Sequence, residues 1–181
     1  MKFCSNCAAP VTQEVPPGDN RLRFCCAGCD TVHYQNPNMV VGTVPVSGNR
    51  VLLCKRAIEP RLGYWTLPAG FMEHKETLAE GAARETTEEA GIDFKLGELF
   101  SVLSVPHVGQ VHLFYLADMQ SEKIEPGPET IEAALFEEAD IPWDNIAFQT
   151  VEKTLRWYFQ DRDAGNWLVH SDDIRYNRRP K

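Results

Sequence analysis

An α+β domain preceded by a small cysteine-rich module is the fold class that this sequence predicts. Three observations carry it. Five of the six cysteines fall within the first 29 residues. After Pro37, short runs rich in Val, Leu and Phe alternate with turn residues, the pattern of strands. Two stretches, near residues 80 and 155, instead have the composition and stop signals of helices.

Length and charge set the outer bounds. The 181 residues suffice for one full domain plus an appendage, with a core that needs no disulfides. A net charge of -8 argues against a general nucleic-acid binder, which usually carries a basic face. An acidic protein can still hold phosphates when metal ions supply the positive charge. No apolar run is long enough to span a bilayer. The opening MKFCSNC lacks the apolar core of a signal peptide, so the expected location is cytoplasmic, with no membrane or nucleic-acid partner.

Residues 1–36 form the first expected unit, ending near Gln35-Asn36-Pro37. Cys4-x2-Cys7 and Cys26-x2-Cys29 stand 18 residues apart, the spacing of a four-cysteine zinc ribbon. Each pair supplies two thiolates from one tight turn, and metal binding then provides the folding energy of a segment with little apolar content. Cys25 adjoins Cys26, but only Cys26 leaves two residues before Cys29. The alternatives are reduced cysteines in a loose arm, a redox pair, or a nucleic-acid-binding ribbon. Lys2, Arg21 and Arg23 are balanced by Glu14, Asp19 and Asp30, which weakens the last.

The second expected unit is 37–181. MVVGTVPV and RVLLCKRA read as strands around Ser47-Gly48-Asn49. IEPRLGYWTLPAG reads as a loop, marked by Pro60, Gly63, Pro68 and Gly70. A helix is expected from Thr77 to Ala90, stopping at Gly91, with Thr77 and Glu80 as a capping box. KLGELFSVLSVPH, QVHLFYLADM and IEAALFE read as further strands, the last after the loop EKIEPGPET. DIPWDNIAF turns into a helix over Phe148 to Asp161, and SDDIRYNRRPK reads as a solvated tail. Cys54, inside an apolar strand, reads as a buried small hydrophobe.

The acidic helix carries the chemistry. Glu85, Glu88 and Glu89 stand at i, i+3 and i+4, on one helix face. Three like charges there repel unless a hard cation sits among the oxygens; magnesium suits such carboxylates and is often completed by substrate phosphates. The plain alternative is a solvated face.

The surrounding residues decide between them. From Gly70 the chain reads Gly, five residues, Glu76, seven residues, Arg84-Glu85, two residues, Glu88-Glu89, one residue, Gly91-Ile92. This resembles the signature of the Nudix hydrolases, G-x5-E-x7-R-E-U-x-E-E-x-G-U, with U a bulky apolar residue. Every polar and glycine position matches across 23 residues; Thr86 departs at the first U site, where it is expected to face the sheet. HYQNPNMVVGTV, LLCKRAIEPRLGYWTLPAGFME and IPWDNIAF extend the likeness to a zinc-ribbon-bearing branch that resembles FAD and ADP-ribose pyrophosphatases.

The resemblance implies an α/β/α sandwich with a mixed sheet between helices, and a magnesium- or manganese-dependent hydrolase. It implies that Glu85, Glu89 and Glu88, with the carbonyl of Ala69 or Gly70, hold the metal. Glu88 shares it or helps activate water, Arg84 orients a glutamate, and Glu76 supports from behind. A later-loop glutamate is expected to join them: Glu129, with Glu132 and Glu125 as alternatives. Tyr64, Trp65, His107 and Gln110 are candidates to contact a base or flavin. Core packing is the alternative for Tyr64 and Trp65, and a structural role for His107 and His112.

The implied substrate is a nucleoside diphosphate linked to another group, FAD or ADP-ribose, cleaved to release AMP. NADH cleavage is the alternative. The S-Q-P-W-P-F-P segment of NADH-cleaving relatives is absent from this chain, which weighs against a dedicated NADH pyrophosphatase. The implied assembly is a homodimer. A Nudix fold that binds a nucleotide without hydrolysis is the competing class.

Overall fold

The computed structural model describes residues 1–175. Its backbone separates into two compact units, Met1–Asn36 and the chain from Pro37 on. Residues 176–181, the end of the segment expected to be a solvated tail, lie outside the described residues.

In the first unit, β1 (Thr12–Glu14), β2 (Arg23–Cys25) and β3 (Val32–His33) form an antiparallel sheet in that order. The two cysteine turns close in the same way. The Cys4 amide donates to the Ala9 carbonyl at 2.8 Å, and the Cys26 amide to the Thr31 carbonyl at 3.0 Å. Ala8 and Asp30, each following the second cysteine of its pair, adopt φ of 61° and 55°. Such left-handed residues cost roughly 1–2 kcal/mol each, so something must hold both turns in place.

In the second unit β4 (Asn38–Ser47), β5 (Arg50–Arg56), β6 (Trp65–Thr66), β7 (Ala69–Phe71), β8 (Phe94–Val105), β9 (Gln110–Met119), β10 (Thr130–Phe136) and β11 (His170–Asp173) make a mixed sheet. Its order is β10-β5-β4-β9-β8-β11, with β6 beside β5 and β7 beside β4. β4 runs parallel to β9 and β11 parallel to β8; the other pairs are antiparallel.

One helix packs on each face, as the alternation along β4 requires. Val41 lies with Ala82 of α1 (Leu78–Ala90), while Val44 joins Val151, Leu155 and Phe159 of α2 (Gln149–Ala164). Fully buried residues such as Leu53, Leu67 and Leu155 contribute about 1.5–3 kcal/mol each.

Each helix is also tied to the sheet by a buried hydroxyl pair. Thr86 Oγ1 lies 2.7 Å from Thr43 Oγ1, and Thr154 Oγ1 lies 2.9 Å from Ser101 Oγ. Thr86 does face the sheet, and its partner Thr43 explains how a hydroxyl fits where a bulky apolar group was expected.

The boundaries of α1 follow from its caps. The Thr77 hydroxyl accepts from the Glu80 amide and the Glu80 carboxylate accepts from the Thr77 amide, a complete capping box. Gly91 ends the helix at φ 58°, donating to the Thr87 carbonyl. A side chain there would meet the Glu125 carbonyl at 2.1 Å.

Three parts differ from the sequence reading. The stretch read as one loop before the helix contains β6 and β7. α2 runs on to Ala164 and stops at Gly165, φ 62°. The tail begins as β11, held where buried Asp161 accepts from His170 Nε2 at 2.9 Å and from the Leu168 amide, with the His170 ring stacked on Trp157 at 4.8 Å. No described helix is long and apolar enough to cross a membrane.

Candidate active site

β7 and α1 build the acidic end of a cleft of about 1150 Å³. The Ala69 amide donates to Glu89 Oε2 at 2.9 Å, fixing the buried end of the helix face to the strand. Gly70 lies against the Glu85 carboxylate so closely that an added Cβ would sit 2.3 Å from it. A side chain at this position would displace the carboxylate beside it.

Arg84 collects the acceptors. It donates to Glu76 at 2.8 and 3.0 Å, to Glu85 at 2.7 Å, to Glu88 at 3.1 Å and to the Phe71 carbonyl at 3.1 Å. This places Glu76 behind the arginine rather than in the cleft lining. Arg84 holds the Glu76 carboxyl down to about 2. Burial instead pushes Glu89 up to about 7, opposed by the Ala69 amide, and raises Glu85 against the pull of Arg84. A buried carboxylate with a raised pKa is under-compensated, the condition that a bound cation would relieve. Glu88 is exposed and faces the cleft.

The loop before β10 closes the other side. Gly127 donates to the Glu89 carbonyl, and the Ala57 amide to the Glu129 carbonyl at 2.8 Å. Glu129 lines the cleft, and its charge is felt by both Glu85 and Glu89. Glu125 pairs with Lys123 and Glu132 with Lys55, and neither lines the cleft. Glu85, Glu88, Glu89 and Glu129 line the cleft beside the backbone of Ala69 and Gly70, hard oxygen donors of the kind that suits a divalent cation such as Mg²⁺ or Mn²⁺. Among the described residues, three or more ligand atoms come within 4.8 Å of one another only at the four cysteines.

The aromatic candidates divide. His107 and Gln110 line the cleft, but Tyr64 and Trp65 do not. Trp65 is 9% exposed and meets Phe136 edge-on at 4.9 Å, so its indole belongs to the core; Tyr64 lies under Arg61. Sequence reasoning missed Arg56, Phe148 and Thr150. The Arg56 guanidinium sits over the Phe148 ring at 5.2 Å, and both border the cleft. Phe148 lies at the end of a segment that read only as a turn. His112, read as structural, is bonded to Gln110 and Thr150, and burial lowers its pKa to about 4. Cys54 is buried as expected, its thiol raised by burial.

In the first unit, the Sγ atoms of Cys4, Cys7, Cys26 and Cys29 all lie within 4.8 Å of one another. The close pairs are Cys4–Cys29 at 3.7 Å and Cys7–Cys26 at 3.4 Å. Zinc–sulfur bonds of about 2.3 Å imply sulfur separations of roughly 3.8 Å in a tetrahedron. The donor set and its span fit zinc. The Asn6 amide, Thr31 Oγ1 and His33 Nε2 contact these sulfurs at 3.1–3.3 Å, support that orients the ligands. Cys25 stands outside the cluster, buried on β2.

The NUDIX domain family matches residues 37–158, and the family described as Nudix N-terminal, a zinc ribbon, matches residues 2–35. The chain belongs to the Nudix family. A crystal structure of a NUDIX hydrolase from Nitrosomonas europaea superposes with a TM-score of 0.93 at 47% identity, covering 96% of this chain and 99% of that one. The ADP-ribose pyrophosphatase of Methanocaldococcus jannaschii is 30% identical over 133 residues, 68% of this chain and 76% of that protein. The NAD-capped RNA hydrolase NudC of Photobacterium profundum is 27% identical over 160 residues. That match takes in 86% of this chain but 58% of NudC, so the chain spans under two thirds of that relative's length. This Nudix chain is a hydrolase with a mixed sheet, two helices and an N-terminal ribbon.

Proposed function

We propose that this enzyme hydrolyses the diphosphate of FAD or ADP-ribose, releasing AMP. The observation that carries the reading is the gathering of four carboxylates and Arg84 at one end of a cleft large enough for a dinucleotide. Glu85, Glu89 and Glu129 would hold the metal with the Ala69–Gly70 backbone. Bound Mg²⁺ or Mn²⁺ supplies charge neutralisation of the diphosphate and a more acidic water. Glu88, exposed to the cleft, accepts the proton as the water oxygen bonds to phosphorus and the bridging P–O bond breaks. Arg84 keeps Glu85 and Glu88 in register and offsets their repulsion. Phe148 and Arg56, stacked at the border of the cleft, are candidates to contact a ring.

The resemblance to the ADP-ribose pyrophosphatase supports ADP-ribose. A second reading, cleavage of NADH or an NAD-type RNA end, is favoured by the likeness to NudC.

The test is AMP release from FAD, ADP-ribose and NADH with Mg²⁺ or Mn²⁺, for wild type and Glu89→Gln. Wild-type release that falls by a factor of about 10³ or more in a folded Glu89→Gln variant is expected. The relative rates rank the substrates. No AMP from any of them, with nucleotide still bound, would replace hydrolysis by a binding role.

A further inference from the structure

Gln110 opens β9 and is held on both sides, opposite Val105 of β8 and Asn38 of β4. Its side chain borders the cleft. Behind it runs a short chain of polar atoms: Gln110 Oε1 lies 3.0 Å from His112 Nε2, and His112 Nδ1 lies 3.2 Å from Thr150 Oγ1. His112 and Gln110 share one face of the strand, two residues apart. Thr150 comes from the first turn of α2 and is 3% exposed.

A neutral imidazole has one donor and one acceptor, so the chain has two hydrogen patterns. In the first, Thr150 donates to Nδ1, Nε2–H donates to the Gln110 oxygen, and the Gln110 NH₂ is left for the cleft. In the second every direction reverses, and the Gln110 oxygen faces the cleft. Two observations favour the first. Among the described residues the Thr150 hydroxyl is paired with no acceptor other than Nδ1, so the second pattern strands a buried O–H donor. The cleft is also lined by Glu85, Glu88, Glu89 and Glu129, and their field draws the positive end of the amide dipole toward it.

We propose that Thr150 and His112 are positioning residues that fix Gln110 as a hydrogen-bond donor to an acceptor atom on the heteroaromatic ring of the substrate. The inference rests on the pyrophosphatase reading above for its substrate, but not for its hydrogen pattern. A nucleobase ring nitrogen or a flavin carbonyl has the required lone pair. A contact to the ring remains the same as the phosphorus reacts, so it sets KM more than kcat.

The test combines nitrogen-15 NMR of His112 in the substrate-free protein with kinetics on whichever of FAD, ADP-ribose and NADH is cleaved. The expected wild-type tautomer is Nε2–H. Thr150→Val, which keeps the shape and removes the donor, is expected to mix the tautomers and raise KM about tenfold with kcat within about twofold. Thr150→Ser restores both. Gln110→Glu, which removes the donor, is expected to raise KM at least as much. A wild-type Nδ1–H tautomer would overturn the proposal, as would an unchanged KM in Thr150→Val or a fall in kcat alone. If the wild type cleaves none of the substrates, the pyrophosphatase reading fails, while the tautomer still decides how Gln110 is held.

Discussion

In the ribbon, four sulfur atoms from two short turns converge within 4.8 Å; in the cleft, Arg84 holds Glu85 and Glu88 while the Ala69 amide holds Glu89. The ribbon buries little beyond Cys4, Cys25 and Cys26, and its turns include two left-handed residues. The cleft rests on a sheet with a helix packed and hydrogen-bonded on each face. On the proposed reading the same class of ligand, a divalent cation, has two different uses. Around the cysteines it would supply the free energy of folding, whereas at the glutamates the fold exists first and the cation would serve the reaction.

The largest effect that sharpens this contrast comes from removing zinc. Structural zinc contributes on the order of 10 kcal/mol of apparent binding free energy. Chelation, or Cys26→Ser, is expected to abolish hydrogen-exchange protection in residues 1–36 and leave the unit from Pro37 protected. Cys25→Ser is expected to retain one zinc per chain. Zinc content and exchange rates check both. A Cys26→Ser protein that keeps its zinc would erase the distinction between the two neighbouring cysteines.

Acid separates the regions by cause. In the ribbon, falling pH competes with zinc for thiolates. In the second unit His112 is buried, with a folded pKa of about 4 against about 6.5 when unfolded. Between those values the unfolded chain binds a proton that the folded one does not. His112 therefore lowers stability as pH drops from 6.5 to 4, by at most about 3 kcal/mol, and this penalty is absent above 6.5. Glu89, held up near 7 by burial, works in the opposite sense over the same range. His112→Gln is expected to gain stability relative to wild type as pH falls through this range, while zinc loss keeps its wild-type pH midpoint. Denaturant melts at pH 7 and pH 4.5 read the first, and zinc release the second.

Sequence made the candidate ligands of both regions legible because their spacing is local. Two residues between cysteines encode a turn, and steps of three and four encode one helix face. The capping box and Gly91 set the helix ends for the same reason. What escaped depends on partners far along the chain. The His112–Thr150 contact spans 38 residues. β11 forms where Asp161 and Trp157 meet His170, so its polar sequence read as a tail. Trp65 was open to two readings until the packing of Phe136 and the Ile146 bridge enclosed it.

The smallest effect probes whether the acidic helix is held without metal. Thr86 donates to the Ala82 carbonyl at 2.7 Å, which leaves Thr43 to donate to Thr86. Both hydroxyls are fully buried. Thr86→Val therefore strands the Thr43 donor and is expected to cost about 1–3 kcal/mol. Thr43→Val leaves the Thr86 donor satisfied and is expected to cost less. In the double variant both polar groups are gone and the shape is kept, so much of the loss should return. A double-mutant cycle by urea melts in chelator isolates the coupling. Additive losses would mean that the hydroxyls act separately. Coupling that persists without divalent cation would place the anchorage of α1 in the protein's own hydrogen bonds, leaving its cleft-lining glutamates available to a metal.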